Sequence, residues 1–473
     1  MVQRRDGHIA DYERLRAAVS NEPLIEIPER IAHLRSLKSG ISESLPALRT
    51  ALREDLGKHS LETDSSEVAP IILEIRHALK HVARWSRVQR RKNPFFMPGS
   101  SAAVAFEPKG LALILSPFNY PFNLSVGPLV SALAAGNRAV IKPSELTPAT
   151  SQVVSDIVSR ALPDSVAAVA LGDKETARSL LELPFDHIFF SGSNRVGRIV
   201  MSDAAKFATP VTLELGGKSP AVVCAKADID LAVRKIAAGK FLNAGQTCIG
   251  VDYALVDDSV FDHFIEKLQD RLKMIYGSSK DEWLSSPSLS RIVSGDHVSR
   301  LRNLIEDSIS EGGTVVFGGH SDVALRFVAP TVVTNVKSDS ALMSDEIFGP
   351  ILPVIRTKSI EGSIKIARDI PTPLAVYVFS DAKDDDRRIR AAVRSGAIVT
   401  NDVLSHFVHP ELPFGGCGAS GFGRAHGYAG FQTFSNERTI LKNRKLFRSP
   451  LESVYAPYSD KVGTLLERLL RRF

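Results

Sequence analysis

Five apolar runs of strand length, at residues 111–115, 139–141, 166–171, 187–190 and 211–213, are separated by stretches that are long enough for a helix and patterned like one. Strands that alternate with helices in this way are joined by crossovers, which makes the sheet parallel, open and wound on both faces. Such sheets take their ligands outside the carboxyl ends of the strands. The residues at those ends are therefore the candidate binding groups.

The first run ends in Ser116-Pro117-Phe118-Asn119-Tyr120-Pro121 and the second in Lys142-Pro143-Ser144-Glu145. The fourth ends in Ser191-Gly192-Ser193-Asn194-Arg195-Val196-Gly197 and the last in Glu214-Leu215-Gly216-Gly217-Lys218. A dinucleotide fingerprint would place its glycines after the first strand, and none stand there. Gly192 and Gly197 instead bracket the entry to a later helix, whose free N–H groups and dipole suit a pyrophosphate. Two glycines by themselves mean only a turn. Lys142 and Glu145, on a neighbouring strand, stand where ribose-binding side chains are expected and favour a nucleotide.

A second alternation follows, with strand-like runs at 221–224, 253–256, 314–317 and 374–379 and helices near 229–241 and 259–272. It reads as a second α/β domain, and it carries Cys248 among small and polar residues. A thiol has a pKa of roughly 8.5 and reacts as thiolate, so a reactive cysteine needs polar neighbours and access. Gly245 and Gly250 open access, and Gln246 and Thr247 supply polar atoms. The alternative is a buried structural cysteine. A cleft between the two domains would set nucleotide and thiol on opposite walls.

Residues 9–85 have a helical period and no readable chemistry, 102–106 read as an exposed strand able to reach another subunit, and 432–441 as its partner strand. Residues 345–350 place Glu346 and Phe348 in a stiff turn. The glycine-rich segment 412–423 reads as a loop with Phe414 as a candidate substrate contact. Cys224, in an apolar run, reads as core. The mild net charge of +6, with both signs interspersed, does not suit nucleic acid. Three scattered cysteines exclude a disulfide framework and a cysteine metal site, so a reducing cytoplasm and no metal are expected. No run reaches the ~18 apolar residues of a membrane span. Leu465, Leu466, Leu469, Leu470 and Phe473 share a helical face opposite Arg468, Arg471 and Arg472. That tail either packs on its own or a partner subunit, the plainer reading, or touches a membrane surface.

Six of these stretches occur in the order found in one family. They are residues 117–121, 142–145, 214–220, 241–248, 346–350 and 413–416, and through them the chain resembles the aldehyde dehydrogenase superfamily, most closely its class 3 branch. The resemblance runs from about residue 55 to the tail. It implies that Cys248 attacks the aldehyde carbonyl to give a thiohemiacetal, with the Asn119 amide and the Cys248 N–H as oxyanion hole. Hydride transfer to a nicotinamide then leaves a thioester, and Glu214 activates the water that releases the acid. Lys142 and Glu145 are implied at the adenosine ribose, Gly192 and Gly197 at the pyrophosphate, and Glu346 and Phe348 at the nicotinamide ribose and ring, with Ser193 and Leu215 as further cofactor-binding residues. Phe118, Tyr120 and Phe414 would line a pocket for bulky apolar aldehydes, aromatic or medium to long aliphatic.

Asn194 stands where the family usually has threonine, Phe118 where tryptophan is common, and Gly250 and Val251 differ from many relatives. These departures bear on cofactor and substrate rather than on the reaction. Glu145 would repel a 2′-phosphate, which favours NAD, although the branch often tolerates NADP. The expected organisation is a helical leader (1–92), an arm strand (93–107), a Rossmann-like cofactor domain (108–214), a catalytic domain (215–425) and a C-terminal arm strand and tail (426–473), assembled as a homodimer. A coenzyme-A-acylating enzyme and a catalytically idle binding protein are the alternatives. Glu214 speaks against the first and the complete catalytic set against the second.

Overall fold

The structure, a computed structural model, describes residues 2–94, 96–443 and 450–471. All of Leu111–Leu115 and Arg138–Lys142 is buried, as continuous apolar runs require of strands covered on both faces. The two pair in parallel, Leu111 beside Arg138 through Leu115 beside Lys142. Across the sheet the order is Val211–Leu215, His187–Gly192, Leu111–Leu115, Arg138–Lys142, Ala167–Val169. The winding thus reverses beside Leu111–Leu115, the switch point at which a ligand crevice opens. This is the doubly wound sheet expected, with its third strand shortened to three residues.

Residues 216–219 lead straight into a second sheet of seven strands, Thr314–Phe317, Thr331–Thr334, Ile351–Thr357, Tyr253–Asp257, Pro220–Val223, Ala375–Phe379 and Ala397–Thr400 in spatial order. So short a link sets the carboxyl edge of the first sheet against the amino edge of the second. One piece crosses back: Gly421–Phe422 pairs antiparallel with Val211–Leu215, Gly421 opposite Glu214.

The leader is helical, through Val2–Asn21, Ile27–Glu43, Leu45–Leu56 and Ala69–Trp85, with a π-helical turn at Thr63–Val68. The arm is Ser100–Pro108 paired with Ser435–Asn443 in unbroken register, Ser435 opposite Pro108 and Asn443 opposite Ser100. The strand expected from residue 432 begins later because Gly427–Thr433 is a helix. The tail helix, Asp460–Leu470, leaves Leu465, Leu466, Leu469 and Leu470 exposed, so it does not pack on the body of its own chain. Arg472 and Phe473, part of the expected amphipathic face, lie outside the described residues. No helix among the described residues is long and apolar enough to cross a membrane.

Candidate active site

The helix Ile229–Phe241 ends in a turn in which Asn243, Ala244 and Gly245 all take left-handed φ, at 53°, 50° and 73°. Two of the three are not glycine, a strained arrangement that needs outside support. The support is a closed hydrogen-bond net. Asn243 Nδ2 donates to the carbonyls of Asn119 (2.7 Å) and Gln246 (3.1 Å), and Asn119 Nδ2 also donates to Gln246 O at 3.0 Å. Gln246 Nε2 donates to Asn243 O and Arg291 O, both at 3.0 Å, while its Oε1 accepts the Val293 N–H. A Cβ on Gly245 would lie 2.2 Å from Gly349 O, so only glycine lets this turn back onto the Glu346 loop. Gln246 and Thr247 therefore anchor the turn from beneath and do not surround the thiol, contrary to expectation.

Thr247 Oγ1 meets Tyr120 OH at 2.7 Å, and Lys58 Nζ lies 4.2 Å from the centre of the Tyr120 ring. Tyr120 is thus part of the floor under the cysteine turn and not of the cavity wall, where it was expected. Its ring is buried because the apolar face has Lys58 beneath it and the hydroxyl a fixed partner.

Cys248 is half-buried at one wall of a cavity of about 400 Å³, which Asn119, Glu214, Gly192, Ser193, Leu215 and Glu346 also line. Phe118, Phe348 and Phe414 line it as well. Gly197 lies behind it, where a Cβ would come within 2.7 Å of Leu215. Lys142 and Glu145 are outside this cavity, at the end of the adjacent strand, with Lys142 Nζ 3.3 Å from Glu145 Oε2. Both carboxylate oxygens of Glu214 are buried without a partner, as is Asn119 Oδ1.

Burial pushes the Glu214 carboxyl well above the usual carboxylate range, with Arg424 opposing it. Burial, then Glu346, then Glu214 push the Cys248 thiol up to about 12. Glu346 is itself raised to about 8 by burial and by Asp252. Its carboxylate rests on Gly216, where a Cβ would meet Glu346 Oε2 at 1.8 Å. The loop is pinned by Lys218, which donates to Asp252, to Leu342 O (2.8 Å) and to Asp345 O (2.8 Å).

The residues fit a dinucleotide. Ser193 caps the helix Asn194–Ala205 by accepting the Val196 N–H, so the first turn opens into the cavity with Arg195 beside it. Free N–H groups and a cation at that place suit a pyrophosphate. Above the thiol, Phe414, Phe407 and His426 form an aromatic wall, with the Phe414 and His426 rings stacked at 5.2 Å.

Several contributors were invisible in the sequence. Lys58 pairs with Glu67 and donates to Asn119 O at 3.0 Å, and Glu67 Oε2 accepts the Asn123 N–H at 2.9 Å. Glu62 accepts the Asn243 N–H at 2.9 Å. The helical leader thus carries the acids and the cation on which the site stands. His297 and Arg300, from the helix Gly295–Ser310, also line the cavity.

Residues 12–440 match the Aldehyde dehydrogenase family. The chain is 40% identical over 422 residues to 4,4'-diaponeurosporen-aldehyde dehydrogenase of Staphylococcus aureus, covering 89% of this chain and 91% of that one. It is 36% identical over 450 residues to the rat (Rattus norvegicus) protein named aldehyde dehydrogenase, dimeric NADP-preferring, covering 95% and 98%. Among solved structures, the substrate-bound state of Staphylococcus aureus AldH superposes with a TM-score of 0.92 at 36% identity, covering 98% of this chain and 99% of that one. The chain belongs to the aldehyde dehydrogenase family.

Proposed function

We propose that this enzyme oxidises an aldehyde to its carboxylic acid with Cys248 as nucleophile and Glu214 as general base, and that it uses NAD in preference to NADP. The observation that carries the reading is that the Cys248 thiol and the unpartnered Glu214 carboxyl open into one cavity beside the Asn119 amide. Thiolate attack makes the carbonyl carbon tetrahedral and its oxygen negative. The Cys248 N–H and the Asn119 side-chain amide are the donors for that oxygen. A bound oxidised dinucleotide would supply the hydride acceptor and a positive ring that favours the thiolate. The acyl group is then held on sulfur as a thioester. Glu214, in its ionised form, takes a proton from water; the hydroxide adds, the acid departs and the Cys248 thiolate is released.

Glu346 would hold the nicotinamide ribose, with Phe348 beside the ring, while Lys142 and Glu145 would hold the adenosine ribose. Gly192, Ser193, Gly197 and Leu215 would shape the pyrophosphate site. The apolar wall of Phe118, Phe407 and Phe414 supports aromatic or medium to long aliphatic aldehydes as substrates. Free cysteines suit a cytoplasmic enzyme, and the paired arm strands suit a homodimer. The test is NADH absorbance with a panel of aldehydes and both cofactors, with and without coenzyme A, for wild type and Cys248→Ala. The variant should be silent, and NADH formation by it would overturn the assignment; a requirement for coenzyme A would replace water by a thiol acceptor.

A further inference from the structure

We infer that His77, His81 and Glu411 form a divalent transition-metal site, of zinc-type chemistry, that clamps the loop around residue 410 onto the helix Ala69–Trp85. His77 and His81 stand four residues apart on that helix, so their rings share a face, with centroids 4.3 Å apart. His81 Nδ1 lies 3.0 Å from His77 O, a bond that requires the proton on Nδ1 and leaves the Nε2 lone pair free. A ring fixed in this way by its second nitrogen is the usual state of a metal-binding histidine. Donor atoms of the three side chains lie within 4.8 Å of one another. Zinc bonds of ~2.0–2.1 Å in a tetrahedron need them about 3.3 Å apart. Binding therefore requires the three donors to draw closer together, and Glu411, the exposed member, has the most freedom to move.

Two imidazoles and one carboxylate suit zinc rather than calcium or magnesium, with a fourth position left to water. Packing on Trp85, tilted for His77 at 5.5 Å and stacked for His81 at 5.7 Å, accounts for the two rings but not for a carboxylate brought to them from a distant loop.

The place gives the site a consequence. Leu73 and Glu74 of the same helix and Val408 and Pro410 of the same loop face each other across a small outer cavity. That cavity shares Asn123, Gly127, Phe407 and His426 with the main one. A metal bridging helix and loop would fix the width of this outlet. The effect on aldehydes rests on the function proposed above, whereas metal binding does not.

The test uses the full chain carrying Cys248→Ser, which removes the reactive thiol as a competing ligand, titrated with Co²⁺ and followed by visible absorbance. One equivalent should bind and be displaced by Zn²⁺. Loss of a partner that only orients a ligand costs about 10–100-fold in affinity. His77→Gln, His81→Gln and Glu411→Gln should each cost at least as much, with the far-ultraviolet circular dichroism unchanged. If a histidine variant misfolds, Glu411→Gln, on the exposed loop, decides alone. No stoichiometric complex, or one that survives Glu411→Gln undiminished, overturns the site.

Discussion

The ammonium of Lys58, fully buried, donates to the backbone carbonyl of Asn119 at 3.0 Å while paired with Glu67, and so couples the leader to the residue whose amide is proposed to bind the oxyanion. Removing one partner of a buried pair strands the other charge, at a cost of about 3–5 kcal/mol. Lys58→Met should lower stability by that order and reduce kcat more than it raises KM, because the Asn119 backbone loses its fixed position. Lys58→Met with Glu67→Gln should recover much of the stability and little of the kcat. Urea unfolding and steady-state kinetics on the single and double variants check both. Equal recovery of the two quantities would confine Lys58 to folding.

Glu214→Gln should separate the two halves of the reaction. The amide cannot accept the proton of water, so one equivalent of NADH forms in a burst and the acyl-enzyme then stalls. Rapid mixing and intact-protein mass measurement should show the burst and the acyl adduct on Cys248. Full steady-state turnover would remove Glu214 from deacylation.

The same substitution changes the thiol. Glu346 and Glu214 both raise the Cys248 pKa, so removing one carboxylate lowers it. Alkylation of the free enzyme by iodoacetamide should climb toward alkaline pH in wild type and shift to lower pH in Glu214→Gln. Because Glu214 is itself raised, its basic form is gained only as pH rises, and kcat should increase from neutral toward alkaline pH. A flat profile from roughly pH 6 to 9, a window that brackets neutrality, or an unshifted alkylation curve, would contradict this electrostatic picture.

His187 gives a stability prediction. It is buried between Lys109 Nζ and Thr212 Oγ1, each 3.2 Å from a ring nitrogen, and burial followed by Lys109 lowers its pKa from 6.5 to about 3. The unfolded chain takes up the proton below about pH 6.5 and the folded chain only near 3. The contribution is therefore complete above 6.5 and is lost as pH falls toward 3, by an amount of the order of 5 kcal/mol. His187→Gln should weaken this acid sensitivity, read as melting temperature against pH. Parallel curves for the two proteins would refute the shift.

What could be read in the sequence follows from periodicity and from local motifs. Residues 111–115 declare a buried strand because all five are apolar, and residues 102–106 show theirs by alternating small and apolar side chains, whereas Ser435–Asn443 leaves all but Ser435 and Ile440 exposed. Ile351–Thr357 escaped notice because Pro353 interrupts it, and Pro can sit in a strand only where its missing N–H is tolerated. Lys58, Glu62 and Glu67, in the link and the short turns between Leu45–Leu56 and Ala69–Trp85, were unreadable for another reason: charged residues ordinarily face water, and only tertiary packing turns these three inward. Tyr120 was misplaced because adjacency to Asn119 says nothing about which way a ring turns once the backbone bends beneath the cysteine. His297 and Phe407 are brought to the cavity from segments with no motif at all.

The proposed preference for NAD rests on Glu145. Its carboxylate lies 3.3 Å from Lys142 Nζ and is still 43% exposed, so it can accept from a vicinal diol at the end of the Arg138–Lys142 strand. A 2′-phosphate in the same place would face like charge, screened only in part by Lys142. Glu145→Ser removes both the acceptor for ribose hydroxyls and the repulsion. The KM for NAD should rise and that for NADP fall, moving the ratio of kcat/KM values toward NADP by about tenfold or more, roughly 1.4 kcal/mol. Lys142→Ala should weaken both cofactors, and NADP more, because it takes away the one cation of the pair. Titration of intrinsic fluorescence with each cofactor, alongside kinetics, separates binding from turnover, and an unchanged ratio in Glu145→Ser would place the discrimination elsewhere.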